Sequence, residues 1–316
     1  MAQPALRPSP QNTRSSLVFE TLAELVRARE FQFVSRVQLE PPNGPTLAIS
    51  TETSLAIVPA VASGEVDIAI MNPSAILTAA VLGKGPFTTP YPLRVITTIP
   101  SQDWYFFAVT EASGLTSLSE IKARKFPLRL SLRADTQGIV NYYAEAVLGY
   151  YGITLKDIES WGGRVSYDLG IPAAPARAGR VASRELDAIF DEATNRFVPM
   201  LDELKMRLIQ LDDGALEYLE GLGLHAAPMP RSYFPNLPAD MRAPDFSGWP
   251  LFTREDAPDD VIYGFCKALD ARKAAVLWTQ PSPLPTAEMC HDTPAGPLRI
   301  PLHRAAERYW REAGYL

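Results

Sequence analysis

Two short stretches of the sequence are alike and together indicate the architecture. Residues 61–70 read VASGEVDIAI, and residues 181–190 read VASRELDAIF. Each reads as a helix end, a tight turn and a short apolar run, a pattern typical of a buried strand in a parallel sheet. The repeat predicts two similar α/β lobes, one built around each stretch. The alternative is that helix–turn–strand junctions converge on such residues through packing alone.

Strand and helix patterns alternate on both sides of the two stretches. Apolar runs at 94–99, 104–109, 128–132 and 207–211 predict strands. Ser117 and Glu120 have the spacing of a capping box, and Asp135 or Thr136 is placed to begin a helix that reaches Tyr151. Four polar residues at 51–54 precede another helical pattern. Strands that alternate with helices predict parallel sheets flanked by helices.

The order of these elements predicts how the chain divides. Residues 1–12 read as a tail, followed by a helix from Ser15 to about Glu30. A proline-rich passage at 228–244 reads as a return of the chain, so the first lobe is predicted at 13–108 with 230–316 and the second at 109–229. The aromatic residues 104–107 lie at the first crossing and are expected to be mostly core. One or two aromatics near the crossings are expected to stack on a ligand.

Composition narrows the possible functions. The chain has 316 residues, 47% of them hydrophobic, and a formal net charge of −6. An acidic chain without a basic cluster is a poor binder of nucleic acid or of anionic membranes. No stretch is long and apolar enough to predict a membrane span, and the opening MAQPALRP has no apolar core of a signal peptide. Cys266 and Cys290 could form one bridge, but two unrelated free thiols are the preferred interpretation.

The sequence offers little for catalysis. His225, His291 and His303 fall in loops or at helix starts, and His303 is expected to cap or pack against the final helix. Cys290, His291 and Asp292 are adjacent and cannot all point at one metal ion. Nucleophile-elbow, Walker A and dinucleotide motifs are absent. The sequence therefore predicts a protein without a cofactor or metal that is not an enzyme.

Ligand binding is better supported, because four polar segments stand where strands give way to helices. Such helix starts suit anions, and the Arg133 guanidinium could grip a carboxylate by two parallel bonds. The alternatives are that these residues are ordinary helix caps and that Arg133 pairs with an acid of its own lobe. The candidate ligand-binding residues are Thr53, Ser54, Asn72, Ser74, Arg133, Asp135, Thr136, Gln137, Asp191 and Glu192.

The acids among these candidates bear on the class of solute. If Asp191 or Glu192 faces the cleft, the site carries both signs of charge and suits a zwitterion better than a dicarboxylate. If instead Asp191 caps the next helix and Glu192 points to water, the pocket is simply cationic. The zwitterion is slightly favoured.

Four motifs in order resemble the TAXI family of solute-binding proteins of TRAP transporters. They are the helix and SGEVDIAI ending at Ile70, SGLTSLSEIK from Ser113, LDAIF from Leu186, and PLHRAAERYWREAG from Pro301. The resemblance implies two Rossmann-like lobes joined by a hinge, the type II periplasmic-binding-protein fold. It also implies a monomeric periplasmic receptor that delivers a small carboxylate-bearing solute to membrane permease subunits.

The sequence departs from the family in three places. It lacks a visible signal peptide, Arg304 and Ala305 replace a Pro-Gly pair, and residues 133–138 replace a Gly/Ser-rich turn. The rival interpretation is a cytoplasmic enzyme on the same fold, related to menaquinone-pathway or pyrimidine-synthase proteins. Members of the latter group rely on a Cys-rich stretch that this chain does not have.

Overall fold

The computed structural model describes positions 14, 17, 18, 20 and 21 and the ranges 35–40, 46–51, 54–276 and 283–316. Contacts group the chain into Met1–Phe33 and Val34–Leu316, and the second unit contains all the sheets. Of the helix predicted from Ser15, positions 17, 18, 20 and 21 are helical. The rest of that helix, the predicted tail at 1–12 and the candidate residue Thr53 lie outside the described residues.

Strands and helices alternate along the described chain. The strands are β1 (Ser35–Leu39), β2 (Leu47–Thr51), β3 (Ile68–Ile70), β4 (Leu93–Ile99), β5 (Phe106–Thr110), β6 (Arg129–Arg133), β7 (Arg164–Asp168), β8 (Ala188–Asp191), β9 (Met206–Leu208), β10 (Ala226–Met229), β11 (Met241–Pro244) and β12 (Trp249–Arg254). The helices are α1 (Ile57–Ala62), α2 (Ser74–Leu82), α3 (Ser119–Ala123), α4 (Ile139–Tyr150), α5 (Leu155–Ser160), α6 (Pro175–Ala182), α7 (Thr194–Phe197), α8 (Leu201–Leu204), α9 (Asp213–Gly221), α10 (Asp259–Arg272) and α11 (Arg304–Glu312).

Two five-stranded sheets form the framework, and their second to fifth strands share one arrangement, whereas β1 runs antiparallel to β2 and β7 runs parallel to β6. The strand orders are β1-β2-β3-β12-β4 and β7-β6-β8-β5-β9, with β10 and β11 forming a separate pair. The two stretches that are alike in sequence give β3 and β8, each the third and central strand of its sheet. The predicted α/β class with two sheets is therefore confirmed. The predicted lobe boundaries, 13–108 with 230–316 and 109–229, stay a prediction.

The sheets are mixed, so the prediction of parallel sheets is wrong in one respect. In each sheet the fourth strand, β12 or β5, runs antiparallel to both of its neighbours. The chain enters β5 directly from the first sheet and returns to the first sheet through β12. A parallel neighbour needs a helical crossover within its own sheet, and a strand that arrives from the other sheet has none. Local sequence patterns do not reveal that a strand enters its sheet from the other sheet.

One apolar cluster joins elements of both sheets. Residues 74–80 of α2 are buried all round, in keeping with a sequence that is apolar apart from Ser74 and Thr78. Ile76 of this helix belongs to the same cluster as Tyr105, Phe107 and Tyr143. The aromatics at 104–107 are at most 2% exposed, in agreement with their predicted place in the core. The cluster therefore contains residues from both sheets together with residues of α2.

Several helices begin later than the sequence predicts. Helix α3 begins at Ser119 with Leu118 as its N-cap, so the predicted capping box of Ser117 and Glu120 does not form. Instead the Thr116 hydroxyl donates to Glu120 Oε1. Helix α4 begins after Gly138 rather than at Asp135 or Thr136. Polar side chains near a helix start can instead stabilise local turns by hydrogen bonds to nearby groups, and turns form at both of these positions.

Three smaller expectations have clear outcomes. His303 caps α11 as predicted, with its Nδ1 accepting from the N–H of Ala305 at 3.2 Å. Cys266 and Cys290 are both free, as preferred from the sequence, although both are buried. Among the described residues, we find no helix that combines the length and the apolarity needed to cross a bilayer.

Candidate functional site

A cleft of about 850 Å³ lies at the carboxyl ends of the two equivalent strands. Asn72 follows β3 and Glu192 follows β8, and both line it. The chain crossing between β4 and β5 contributes Pro100, Ser101, Gln102 and Asp103, and β12 contributes Trp249. Ligands of α/β sheets bind beyond the carboxyl ends of strands, so this cleft is the candidate site.

The cleft carries both signs of charge on its surface. Arg196 of α7 and Glu288 of the C-terminal loop both line it and are exposed. Neither makes an ion pair within the described part of the chain, so both are available to a guest. Tyr233 and Trp249 add aromatic faces to the same wall.

Asp103 ties the crossing to the turn that follows β8. Its Oδ1 accepts from the Thr194 N–H at 3.0 Å and from the Thr194 hydroxyl at 2.5 Å, and its Oδ2 accepts from the Ala193 N–H at 3.1 Å. The Trp104 N–H donates to Oδ1 at 2.8 Å. Burial raises the pKa of Asp103, whereas these hydrogen bonds act in the opposite direction. Four donors hold the carboxylate in place.

Glu192 shares the cleft wall with Asp103 and is hydrogen-bonded to it. Arg133 Nη2 also donates to Glu192 Oε1. Burial raises the pKa of Glu192 to about 8, with Arg133 acting against the rise and Asp103 and Asp191 adding to it. Asp103 already has four donors, so the proton that the two acids share belongs on Glu192. The raised pKa favours the neutral form of Glu192 at neutral pH, and in that form Glu192 can donate a hydrogen bond to the Asp103 carboxylate.

Arg133 and Asp191 lie together behind the cleft wall. Arg133 is 1% exposed and Asp191 is 0% exposed. Arg133 Nε donates to Asp191 Oδ2 at 2.9 Å, and Arg177 Nη1 donates to the same oxygen at 2.6 Å. Of the two interpretations given from the sequence, the structure has Arg133 paired with acids of its own sheet. Asp191 is paired with arginines and does not cap α7.

The other candidates lie in three different places. Ser54 forms an antiparallel backbone bridge with Gly138, so the loop after β2 touches the start of α4. Thr136 and Gln137 line a separate cavity of about 700 Å³ near β7, and the Asp135 carboxylate accepts from the Gln137 N–H at 3.2 Å. Ser74 is 4% exposed and is buried at the start of α2. The ten candidates were expected at one cleft, and of these Asn72 and Glu192 line it.

Sequence reasoning missed three residues of this cleft. Asp103, Arg196 and Glu288 lie in a crossing, a four-residue helix and a long loop, where no periodic pattern singles them out. The sequence did contain a signal for Asp103, since this acid stands directly before four aromatic residues that are predicted to be buried. A carboxylate buried there needs hydrogen-bond donors from the protein. Within the described ranges, no group of three His, Cys, Asp or Glu side chains could hold a metal ion.

A third cavity, of about 510 Å³, lies beside the crossing segments. Gln102 lines both this cavity and the 850 Å³ cleft, and Asp245 and Ser247 of the return crossing line the 510 Å³ cavity. The two crossings are joined directly, because the Ser247 hydroxyl donates to Asp103 O at 3.0 Å and the Gly248 N–H donates to Ser101 O at 2.9 Å. The two crossings are thus hydrogen-bonded to each other, and residues of both line the cavities.

Comparison with known proteins gives one family match. Residues 32–188 match the sequence model of the NMT1-like family. No curated protein matches the chain in sequence.

Several solved structures resemble the chain at low identity. PhnD1 from Prochlorococcus marinus in complex with methylphosphonate is 15% identical over 83% of this chain and 84% of that one, with a TM-score of 0.40. The glycine betaine and L-proline-binding protein from Borrelia burgdorferi is 14% identical over 67% of each chain, with a TM-score of 0.39. Lactococcal OpuAC with glycine betaine is 12% identical over 82% of each, with a TM-score of 0.38. The chain spans 61% of another match, described as a periplasmic transporter.

Proposed function

We propose that this protein is a solute receptor that binds a small carboxylate-bearing solute in the 850 Å³ cleft. The observation that carries the proposal is that a cation, Arg196, and an anion, Glu288, both line the cleft, while neither makes an ion pair within the described residues. A guanidinium suits a carboxylate, and the acid suits an ammonium group. An amino acid or a similar zwitterion therefore fits better than a dicarboxylate.

Binding couples to a hinge motion in this proposal. The crossings that pass through Asp103 and Ser247 are the hinge, and the Ser54–Gly138 bridge is a contact that opening would break. A solute that touches both sides of the cleft stabilises the closed form by its extra contacts there. The resemblance to TAXI proteins supports a periplasmic location, a monomer, and delivery of the solute to a TRAP-type permease.

The rival function, an enzyme on this fold, would need an acid and a base in the cleft. Asp103 and Glu192 are the candidate pair, but the Asp103 carboxylate is engaged by four hydrogen bonds from the protein. A base engaged in this way is poorly placed to accept a proton from a substrate. The receptor is therefore preferred to the enzyme.

Thermal-shift screening of amino acids against matched dicarboxylates tests the proposal, followed by calorimetry on the best compound. We expect amino acids to raise the melting temperature and Arg196→Ala to weaken their binding about tenfold or more. Glu288→Gln should weaken amino acids but not dicarboxylates. Arg231→Ala, a surface change outside the cleft, should alter neither. Stabilisation by dicarboxylates alone would refute the zwitterion, and stabilisation by neither class would refute the receptor.

A further inference from the structure

Three buried polar atoms beside the cleft have no hydrogen-bond partner among the described residues: Asn72 Oδ1, Ser74 Oγ and Thr98 Oγ1. Ser74 is 4% exposed and Thr98 is 0% exposed, so neither hydroxyl meets bulk solvent. Buried hydroxyls in proteins nearly always have a hydrogen-bond partner. An unpaired hydroxyl loses its hydrogen bonds to water on burial and gains none from the protein, which is costly in free energy. The three atoms therefore indicate a site for a polar guest.

Gly248 brings two of these side chains together. Its φ is +80°, and a Cβ built on it would lie 2.4 Å from Ser74 Oγ and 3.1 Å from Thr98 Cγ2. The backbone fixes both residues, since the Ser74 N–H donates to Ser247 O at 3.1 Å and the Thr98 N–H donates to Met289 O at 2.9 Å. The absence of a side chain at Gly248 leaves a space that the Ser74 hydroxyl and the Thr98 methyl group border.

The place of these residues connects them to the cleft. Gly248 stands between Ser247, which lines the 510 Å³ cavity, and Trp249, which lines the 850 Å³ cleft. Asn72 lines the larger cleft directly and is separated from Ser74 by a single residue. Ser74 and Thr98 are thus buried next to residues that line the proposed solute site.

The chemistry of the three atoms selects the guest. An amide oxygen accepts hydrogen bonds only, and hydroxyls can both accept and donate. A guest that satisfies all three must therefore carry at least one N–H or O–H. An ammonium group carries three such donors, and a hydroxyl or a water molecule carries fewer.

We propose that Asn72, Ser74 and Thr98 form a subsite that receives an N–H or O–H donor of the bound solute, with water taking that place in the solute-free protein. Thr98 is thereby a specificity-determining residue that the sequence does not reveal. The solute part of this inference rests on the proposed receptor function, and the water part does not.

Alanine, lactate and propionate are suitable probes, since they differ only in the group on the α-carbon. Wild-type protein should prefer alanine or lactate to propionate, and Ser74→Ala or Thr98→Val should reduce that preference about tenfold. Thr97→Val is the matched control. Thr97 is equally buried, but its hydroxyl already donates to Met289 O at 2.9 Å. This control should lower stability and leave the preference unchanged.

A crystal structure of the solute-free protein supplies the second measurement. It should show a water about 2.6–3.2 Å from both Ser74 Oγ and Thr98 Oγ1. Hydroxyls bonded to the protein instead, or a dry gap, would overturn the subsite. A preference that survives both Ser74→Ala and Thr98→Val would overturn its role for solute. Stabilisation by none of the screened amino acids and dicarboxylates, and binding of none of the three probes, would refute the receptor and the solute role together, while the water still decides whether the subsite exists.

Discussion

Arg133 and Asp191, on the neighbouring parallel strands β6 and β8, form an ion pair that solvent does not reach. Arg133 Nε and Nη2 contact the two carboxylate oxygens at 2.9 and 2.8 Å, and their side chains are 2% and 0% exposed. Arg177 adds a contact of 2.6 Å to the same carboxylate. Burying charges is costly unless each has its partner, so the pair fixes the ends of both strands in one geometry. That geometry in turn holds Glu192 in the cleft wall.

Removing Arg133 should therefore be strongly destabilising. We expect Arg133→Ala to lower the free energy of unfolding by about 3–5 kcal/mol, because Asp191 keeps its charge in the interior with fewer partners. Arg129→Ala is the control, since Arg129 grips Asp187 by the same two nitrogens at 2.8 and 2.6 Å but is 43% exposed. Its loss should cost about 1 kcal/mol or less. If urea unfolding gave the same loss of unfolding free energy for Arg133→Ala and Arg129→Ala, burial would not determine how much each ion pair stabilises the protein.

Glu192 should make stability depend on pH. Its pKa is raised from 4.5 to about 8 in the folded protein, so between these values the folded state holds a proton that the unfolded state releases. Stability should therefore fall as pH rises from about 5 to 8. Glu192→Gln keeps the hydrogen-bond donor and cannot ionise, so it should flatten this fall. Glu288→Gln should keep the wild-type slope. An unchanged slope in Glu192→Gln, measured by urea unfolding across this range, would contradict the assignment of the proton.

Gly248 should tolerate no side chain. Its φ is +80°, and an added Cβ would lie 2.4 Å from Ser74 Oγ and 3.0 Å from Pro297 Cδ. Gly114 has a similar φ of +64° with no atom within 4 Å of such a Cβ. Gly114→Ala should therefore cost about 1–2 kcal/mol for the backbone alone, and Gly248→Ala should cost clearly more. Similar thermal unfolding of the two variants would mean that the contact at Gly248 relaxes freely.

The two thiols should be unreactive in the folded protein. Burial raises the pKa of Cys290 to about 12, and that of Cys266 is raised further for the same reason. Since the thiolate is the reactive form, iodoacetamide at pH 8 should label neither thiol until the chain unfolds. Mass spectrometry after labelling with and without urea measures this. Rapid labelling of the native protein at either cysteine would show local opening around the C-terminal helices.

The sequence predicted those features that depend on neighbours along the chain. The apolar runs ending at Ile70 and Phe190 form central strands, and the aromatics at 104–107 are in the core. Both could be predicted because buried segments are recognisable from their local pattern of apolar residues. The capping of α11 by His303 was also predicted. The helix starts predicted at Ser117 and Asp135 are wrong, because a polar side chain there can hydrogen-bond to several local partners.

By itself the sequence determined an α/β protein with two sheets built around two similar stretches, because the period and apolarity of each element are local properties. Only the tertiary structure decided that β5 and β12 enter antiparallel, that Arg133 pairs with Asp191, and that Arg196 and Glu288 share a cleft. These are choices of partner between residues far apart in the chain. A residue's type limits which partners it can take, but the path of the backbone through space determines which of them comes within reach.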